Sequence, residues 1–231
     1  MSIQKKFFLI FLFIILDTFL VVGYLVVRDA TMVNRLKKEV YELSKLDITK
    51  DRYNRDLITR GEYAKVEGAI KDYLDSYAVL LQEVLSVMKD PKFTQLLSYA
   101  NYQADGPLFE SSTEYLATLK KDFNSNMDQL LKNLDEDTIK DYIKDKTDNP
   151  YYQNLYNDLM FSDSMKDDFT ETRKLLEQTK TKVNSIMDCS SEIFNFLKLN
   201  KDAWVLEEGE IRFQTEALYN QYNAYILKIK E

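Results

Sequence analysis

The sequence predicts an all-α fold, in which an N-terminal transmembrane helix continues into a stalk and then into a helical bundle with a small β-hairpin before the last helix. Residues 7–27 are apolar and carry one charge, and apolar residues recur three and four positions apart through much of the remaining chain. The 231 residues include only 5 Gly and 3 Pro, too few for the many turns of a β-sandwich or barrel.

The first predicted element is a membrane anchor. The run from Phe7 to Val27 matches the ~20 apolar residues that a helix needs to cross hydrocarbon. A cleaved signal peptide would have an apolar stretch of about 7–15 residues and a small-residue cleavage site, and no A-x-A pattern follows this run. The chain therefore divides into a cytoplasmic leader (1–6), a transmembrane anchor (7–28), a helical stalk (29–46) and an extracytoplasmic helical domain (47–231).

The charges beside the anchor bear on its orientation. Lys5 and Lys6 precede the run and favour a cytoplasmic N-terminus. The other flank is basic too, with Arg28, Arg35, Lys37 and Lys38, but long domains cross the membrane largely regardless of such charges. We expect a single-pass protein of the cell membrane, in contact with lipid through residues 7–28 and with its C-terminal domain outside the cytoplasm.

Asp17 is the only charged residue inside the apolar run. A carboxylate near the bilayer centre is costly and by default marks a functional position. A partner helix or a second copy of the chain would satisfy it, together with Thr18. The alternative is a protonated Asp that a very apolar helix tolerates, and the sequence leaves both open.

Apolar stripes predict the helices that follow the anchor. Residues 29–46 carry one stripe, and Thr59 with Glu62 predicts a capping box at the start of the next helix. That helix should end at Asp90, because Pro91 fits the first turn of a new helix better than a helix interior. Further helices are expected from Phe93 to near Asp105, from about Pro107 to Leu134, over 138–146, over 151–161 and from Ser164 to Leu199.

The spacing changes near the C-terminus. Ala203–Leu206 and Glu210–Phe213 flank a short turn and predict a β-hairpin. Thr215 is placed to cap one last helix. Since every amphipathic helix must cover its apolar face in water, we expect these helices to pack as a bundle.

Several kinds of chemistry are excluded by composition. The chain has no histidine, which removes Ser-His-Asp triads, H-E-x-x-H zinc sites and Glu-x-x-His di-iron sites. It has one cysteine, Cys189, and no phosphate-binding glycine motif. We therefore predict no catalytic residue, no cofactor, no metal site and no enzymatic activity, although a pair of carboxylates would suffice for some hydrolases.

Two binding classes are also disfavoured. A net charge of −7 without a concentrated basic face argues against nucleic acid as a partner. Asp122, Asn124, Asn126 and Asp128 alternate as at the start of a calcium loop. However, Met127 stands where that loop needs glycine, and the apolar residues keep helical phase across the segment.

Aromatic residues supply the candidate interface. Tyrosine suits partly wet surfaces, and we single out Trp204, Tyr219 and Tyr222, with Tyr151-Tyr152 as a second tyrosine-rich segment. The competing interpretation is that tyrosines at these spacings form the core and its rim. Trp204 could equally be the plug beneath the hairpin.

Three stretches resemble an uncharacterised group of single-pass, membrane-anchored helical proteins of Gram-positive bacteria. They are Leu46-Asp47-Ile48-Thr49-Lys50, the segment from Gly61 to Tyr73, and the Trp204, Gly209, Ile211, Phe213 and Tyr222-Asn223 series. The resemblance implies a location at the bacterial cell surface and transfers no catalytic residue.

The predicted function is that of a membrane-anchored, non-enzymatic helical module in the bacterial cell envelope. It would bind a protein or envelope partner, or associate with itself. The alternative is a ligand-sensing accessory subunit. Because Met1–Lys6 is too short for a cytoplasmic output, such a subunit would signal through a partner membrane protein.

Overall fold

The structure, a computed structural model, describes residues 26–46 and 53–230. Within these ranges the protein is mostly helical and has a two-stranded antiparallel hairpin before its last helix, which confirms the predicted helical bundle and hairpin. Most of the predicted anchor, including Asp17 and Thr18, lies outside the described residues. Among the residues that are described, no helix is both long and apolar enough to span a bilayer.

The helices and strands are labelled in chain order. Helix α1 covers 26–44, and the remaining elements are α2 (Glu62–Met88), α3 (Pro91–Thr94), α4 (Tyr99–Asp105), α5 (Glu110–Asn133), α6 (Glu136–Lys144), α7 (Pro150–Met160), α8 (Asp163–Leu199), β1 (Trp204–Glu207), β2 (Glu210–Phe213) and α9 (Glu216–Lys230).

Contacts divide the chain into two compact units. Unit 1 consists of the described residues up to Leu74 together with Lys140–Ser162, and unit 2 consists of Asp75–Ile139 together with the described residues from Asp163 onward. Helices α2 and α6 contribute residues to both units. Unit 1 is thus assembled from an N-terminal part and a short stretch that the chain reaches much later.

Unit 1 buries apolar residues from α1, α2, α6 and α7. Leu36 on α1 is fully buried, and Leu43, about two turns further on, is 7% exposed. The helix predicted for residues 29–46 is therefore present, and its apolar stripe is covered within unit 1. The other buried apolar residues of this unit are Tyr63, Val66, Ala69, Ile70, Tyr73, Ile143, Tyr156, Leu159 and Met160.

Unit 2 is organised around the pairing of α5 with α8. Three polar pairs join the two helices, and they advance four residues along α5 while receding four along α8, so the helices are antiparallel: Lys120–Asp188, Asn124–Asn184 and Asp128–Lys180. Between them lies an apolar core of fully buried residues, which includes Phe123, Met127, Leu130, Met187 and Leu197.

The hairpin adopts the geometry that a tight antiparallel turn requires. Trp204 pairs with Phe213 and Glu207 with Glu210 across the strands. The two turn residues, Glu208 and Gly209, both have positive φ angles, of 54° and 86°. Such angles match the twist of a two-residue hairpin turn, and glycine adopts them without steric cost.

Two predicted helix starts are wrong. The capping box fails because α2 begins at Glu62 itself, directly after Gly61 with a φ of 63°, so Thr59 lies outside the helix. Helix α5 begins at Glu110 rather than near Pro107. There the carboxylate of Asp105 accepts hydrogen bonds from the backbone N–H groups of Ser111 and Ser112, at 3.2 and 2.7 Å, in place of a local capping side chain.

Candidate functional site

A pocket of about 380 Å³ lies within unit 1, where three of its helices meet. Val26, Arg28 and Asp29 line it from α1, Tyr63 from the first turn of α2, and Tyr152 from α7. Three separate stretches of sequence therefore build this pocket. It combines an arginine, a carboxylate and tyrosine rings, and it is the candidate functional site.

Tyrosine rings form one wall of the pocket. The rings of Tyr63 and Tyr152 meet edge to face with centroids 5.1 Å apart, and Tyr151 meets Tyr152 in the same way at 5.0 Å. The hydroxyl of Tyr151 donates a hydrogen bond of 3.0 Å to Oδ2 of Asp29. Asp29 is thereby tied to α7, while its carboxylate keeps lone pairs for further donors.

The Tyr63 hydroxyl is the unusual atom of this wall. Tyr63 is 5% exposed, and its hydroxyl oxygen has no hydrogen-bond partner among the described residues. A buried hydroxyl without a partner is destabilising, and in native proteins a ligand or a water molecule often supplies the missing bond. Tyr63 thus lines the pocket, while its hydroxyl oxygen is enclosed by protein.

Tyr152 in the pocket and its neighbour Tyr151 stay protonated at neutral pH. Burial raises the pKa of Tyr151, and the hydrogen bond to Asp29 raises it further. Burial also raises the pKa of Tyr152; the charges of Asp29 and Glu62 add to this increase, and Arg28 opposes it. Both hydroxyls are thus neutral groups that can donate hydrogen bonds.

A buried ionic network lies further along α2 in unit 1. The ammonium of Lys71 contacts the carboxylates of Glu67 and Glu39 at 2.8 and 3.0 Å and donates to the carbonyl of Asp56 at 2.8 Å. Glu67 is 1% exposed and Lys71 3%. The network ties α1, α2 and the segment before α2 together.

Glu67 also holds the segment that precedes α2. Its carboxylate accepts the backbone N–H groups of Ile58 and Thr59 at 2.9 Å and the Thr59 hydroxyl at 2.7 Å. Burial alone would raise the pKa of Glu67, but the hydrogen bonds from Lys71, Ile58 and Thr59 outweigh it, so the pKa is lowered. Every group of the network is satisfied, and we assign it a structural role.

The predicted interface residues of unit 2 have different positions. Trp204 is 7% exposed and its Nε1–H donates to the carbonyl of Leu197 at 2.8 Å, so it is the plug beneath the hairpin. Tyr222 is 8% exposed, and its hydroxyl lies 3.0 Å from that of Tyr102. The structure places both in the core rather than on the surface. Tyr219 is 50% exposed and keeps an accessible ring.

The segment with calcium-like spacing is helical, as the phase of its apolar residues predicted. It lies inside α5, where Asn124 pairs with Asn184 and Asp128 with Lys180. In the described part of the chain, His, Cys, Asp and Glu side chains form no group of three or more that could hold a metal ion.

Part of the pocket could be recognised in the sequence. Arg28 flanks the apolar run, and Tyr151-Tyr152 was singled out as a tyrosine-rich segment. Asp29 and Tyr63 were missed as site residues, because Tyr63 fits the apolar stripe of α2 and no short-range pattern links residue 29 to residue 151. Their proximity is a property of the tertiary fold.

Comparisons of the chain with protein-family models, with curated proteins and with solved structures found no match. The resemblance to membrane-anchored proteins of Gram-positive bacteria stays a prediction from the sequence.

Proposed function

We propose that the chain is a membrane-anchored, non-enzymatic helical module that binds a protein or envelope partner outside the cytoplasm. One observation carries the proposal: the described part of α1 includes the C-terminal end of the apolar run and is packed into unit 1 within a few turns. Leu36 is fully buried, and at 1.5 Å per residue it lies about 12 Å along the helix from Arg28. An anchored chain would thus hold unit 1 next to the bilayer surface.

The kind of partner follows from composition and from the anchor. The acidic chain, with a net charge of −7, is unsuited to nucleic acid. Asp17 and Thr18 would supply polar groups inside the bilayer, where a partner helix or a second copy of the chain would satisfy them. Protein recognition therefore has two possible places, the intramembrane positions and the exported domain.

A sensing role is the second candidate, and the direct link between α1 and α2 supports it. Lys71 on α2 pairs with Glu39 on α1 at 3.0 Å, and both belong to unit 1. A displacement of α2 on ligand binding would therefore act directly on α1, the helix next to the predicted anchor. In this version the chain passes the signal to a partner membrane protein.

Membrane anchoring and topology are tested by cysteine labelling in intact cells. Cys189 is the only cysteine, and it is buried, so Cys189→Ala gives a background without accessible thiols. In that background, Lys121→Cys on the exposed surface of α5 should react with a membrane-impermeant maleimide, whereas Ser2→Cys should react only after lysis. Release of the protein into the medium, or the reverse labelling pattern, contradicts the proposal.

The intramembrane partner is tested by crosslinking. Crosslinked products of the wild-type chain are compared in intact cells with those of Asp17→Leu, and Ile15→Leu in the same run serves as the matched control. Loss of one product in Asp17→Leu alone would assign that partner to the carboxylate. The same products in all three chains would remove Asp17 from partner binding and leave the exported domain as the binding surface.

A further inference from the structure

We propose that the pocket formed by α1, α2 and α7 in unit 1 binds the headgroup of an aminoethyl phospholipid, that is, a phosphate ester that carries a primary ammonium. This inference rests on the proposed membrane anchoring and goes beyond it, because it assigns a ligand class to a particular set of residues. The shared chemistry of the ligand is a phosphate and an ammonium separated by two carbon atoms.

The charges of the pocket match a zwitterion. Arg28 supplies a guanidinium, whose fork of N–H donors suits phosphate oxygens. Asp29, the next residue, supplies a carboxylate that would repel a simple anion and attract an ammonium. An acidic headgroup without an amine would meet attraction from one residue and repulsion from the other.

The tyrosine rings add a further contact, because Tyr63 and Tyr152 both line the pocket. The faces of tyrosine rings attract cations within about 6 Å of the ring centroid, and the Tyr63 and Tyr152 rings stand edge to face at the pocket. An ammonium would thus find both a carboxylate and an aromatic wall.

The surroundings of the pocket indicate a lipid rather than a soluble molecule. Val26 and Val27 are 62% and 66% exposed, so two adjacent apolar side chains stand at the edge of the pocket, where acyl chains would cover them. They belong to the end of the run predicted to cross the bilayer. Tyrosine and arginine are also the residues that commonly lie at the level of lipid headgroups. A volume of about 380 Å³ lies within the usual range of ligand pockets.

The test uses the full-length chain, purified in detergent and titrated with single phospholipids under native mass spectrometry. The probes are dioleoyl phosphatidylethanolamine, phosphatidylglycerol and phosphatidylcholine. We expect phosphatidylethanolamine to bind about tenfold more tightly than either of the others, because phosphatidylglycerol has no ammonium for Asp29 and the choline ammonium has no N–H to donate to it. Equal affinities for the three lipids overturn the proposal, as does a preference for phosphatidylglycerol.

Variants locate the binding site. Arg28→Gln and Asp29→Asn should each remove the preference for phosphatidylethanolamine. Arg35→Gln and Tyr41→Phe are matched controls on exposed positions of α1 and should bind like the wild type. Circular dichroism of each variant separates lost binding from lost folding, and an unchanged preference in folded Arg28→Gln and Asp29→Asn overturns the assignment.

Competition with soluble phosphoethanolamine shows whether the pocket binds a membrane lipid or a free metabolite with the same phosphate and ammonium groups. It should compete only weakly with the lipid, since it has no acyl chains to lie beside Val26 and Val27; competition at equal concentration assigns the pocket to a free metabolite and overturns the lipid. Membrane fractionation separates this test from that of the proposed function. A chain that remains in the membrane fraction but shows no lipid preference refutes this inference alone, whereas a chain absent from that fraction refutes the anchoring.

Discussion

The two units of the molecule differ in the kind of residue that is buried at their centres. The centre of unit 1 contains ions: Glu67 is 1% exposed and Lys71 3%. The centre of unit 2 is apolar, with Phe123, Met127 and Leu130 fully buried between α5 and α8. In unit 2 the charges lie on the rim, where Asp128 remains 64% exposed in its pair with Lys180.

The stability of the two interiors depends on different interactions. A buried ion pair is stable only while every partner is present, because a charge left alone in the interior is very unfavourable. An apolar core depends on shape and volume and tolerates the loss of a rim charge. Unit 1 should therefore respond strongly to single polar substitutions and to pH, whereas unit 2 should hardly respond to changes at its exposed ion pairs.

The largest effect is expected for Glu67→Ala. The substitution leaves the buried ammonium of Lys71 with one carboxylate, Glu39, and removes the acceptor of the Ile58 and Thr59 backbone groups. We expect a loss of about 3–5 kcal/mol from the free energy of unfolding. Hydrogen exchange measures it locally, as faster exchange in peptides from 53 to 74.

Glu177→Ala is the control for this loss. Glu177 is exposed on α8, so the same substitution there should change stability by less than about 0.5 kcal/mol. If Glu67→Ala were as stable as Glu177→Ala, the ionic network would not hold unit 1 together.

Acid should reproduce part of the effect of Glu67→Ala. The pKa of Glu67 is lower in the folded protein than its ordinary value of 4.5. Its contribution to stability is therefore complete above pH 4.5 and is lost as the pH falls through the lowered pKa. Peptides from 53 to 74 should lose protection at acidic pH, after correction for the intrinsic exchange rate.

Lys71, the partner of Glu67, limits the stability of unit 1 at high pH. Burial lowers the pKa of Lys71, but the hydrogen bonds that its ammonium donates to Glu67 and Glu39 more than compensate, so the pKa lies above its ordinary value of 10.5. Its contribution is complete below pH 10.5 and is lost as the pH rises through the raised pKa.

In Glu67→Gln the loss of protection at acidic pH should be smaller than in the wild type. An unchanged loss would assign the acid response to other carboxyl groups.

A smaller effect is expected for the amide pair of unit 2. Nδ2 of Asn124 donates to Oδ1 of Asn184 at 3.0 Å, and the reverse bond measures 2.8 Å. Asn124→Leu leaves Asn184 without this partner and should cost about 1–2 kcal/mol in the free energy of unfolding. Trp204, the only tryptophan, lies in unit 2 and reports this unfolding by fluorescence in denaturant.

The double variant Asn124→Leu/Asn184→Leu completes this comparison. It replaces both polar groups with apolar ones, and we expect it to recover most of the stability lost in the single variant. Additive losses would mean that the two amides do not act as a pair. A pair of this kind fixes the register of two helices more than it stabilises them.

The sequence predicted the apolar core of unit 2 better than the ionic network of unit 1, for a physical reason. The core of unit 2 consists of apolar residues at helical spacing, and this pattern can be read locally. Glu67 and Lys71, four residues apart, look like an exposed pair on a helix surface. Their burial depends on residues 39 and 56–59, which no local pattern connects to them.

The failed capping box illustrates the same limit. Thr59 and Glu62 have the spacing of the motif, but the Thr59 hydroxyl binds Glu67 at 2.7 Å, and the Glu62 carboxylate accepts a bond of 2.8 Å from Thr147. Tertiary partners thus displaced the local ones. The pocket also depends on tertiary structure, since Arg28, Tyr63 and Tyr152 come from distant parts of the chain. Spacing rules cannot bring such residues together.

The smallest effect is expected at the exposed ion pairs of unit 2. Lys180 lies 2.5 Å from Asp128, but the carboxylate is 64% exposed, so water and salt screen the attraction. Lys180→Ala should lower the free energy of unfolding by about 0.2–1 kcal/mol, and the difference should shrink further in 1 M salt, where the screening length is about 3 Å. Trp204 fluorescence in denaturant measures both values. A loss as large as that of Glu67→Ala would mean that unit 2 also depends on its charges, and the contrast between the two interiors would no longer hold.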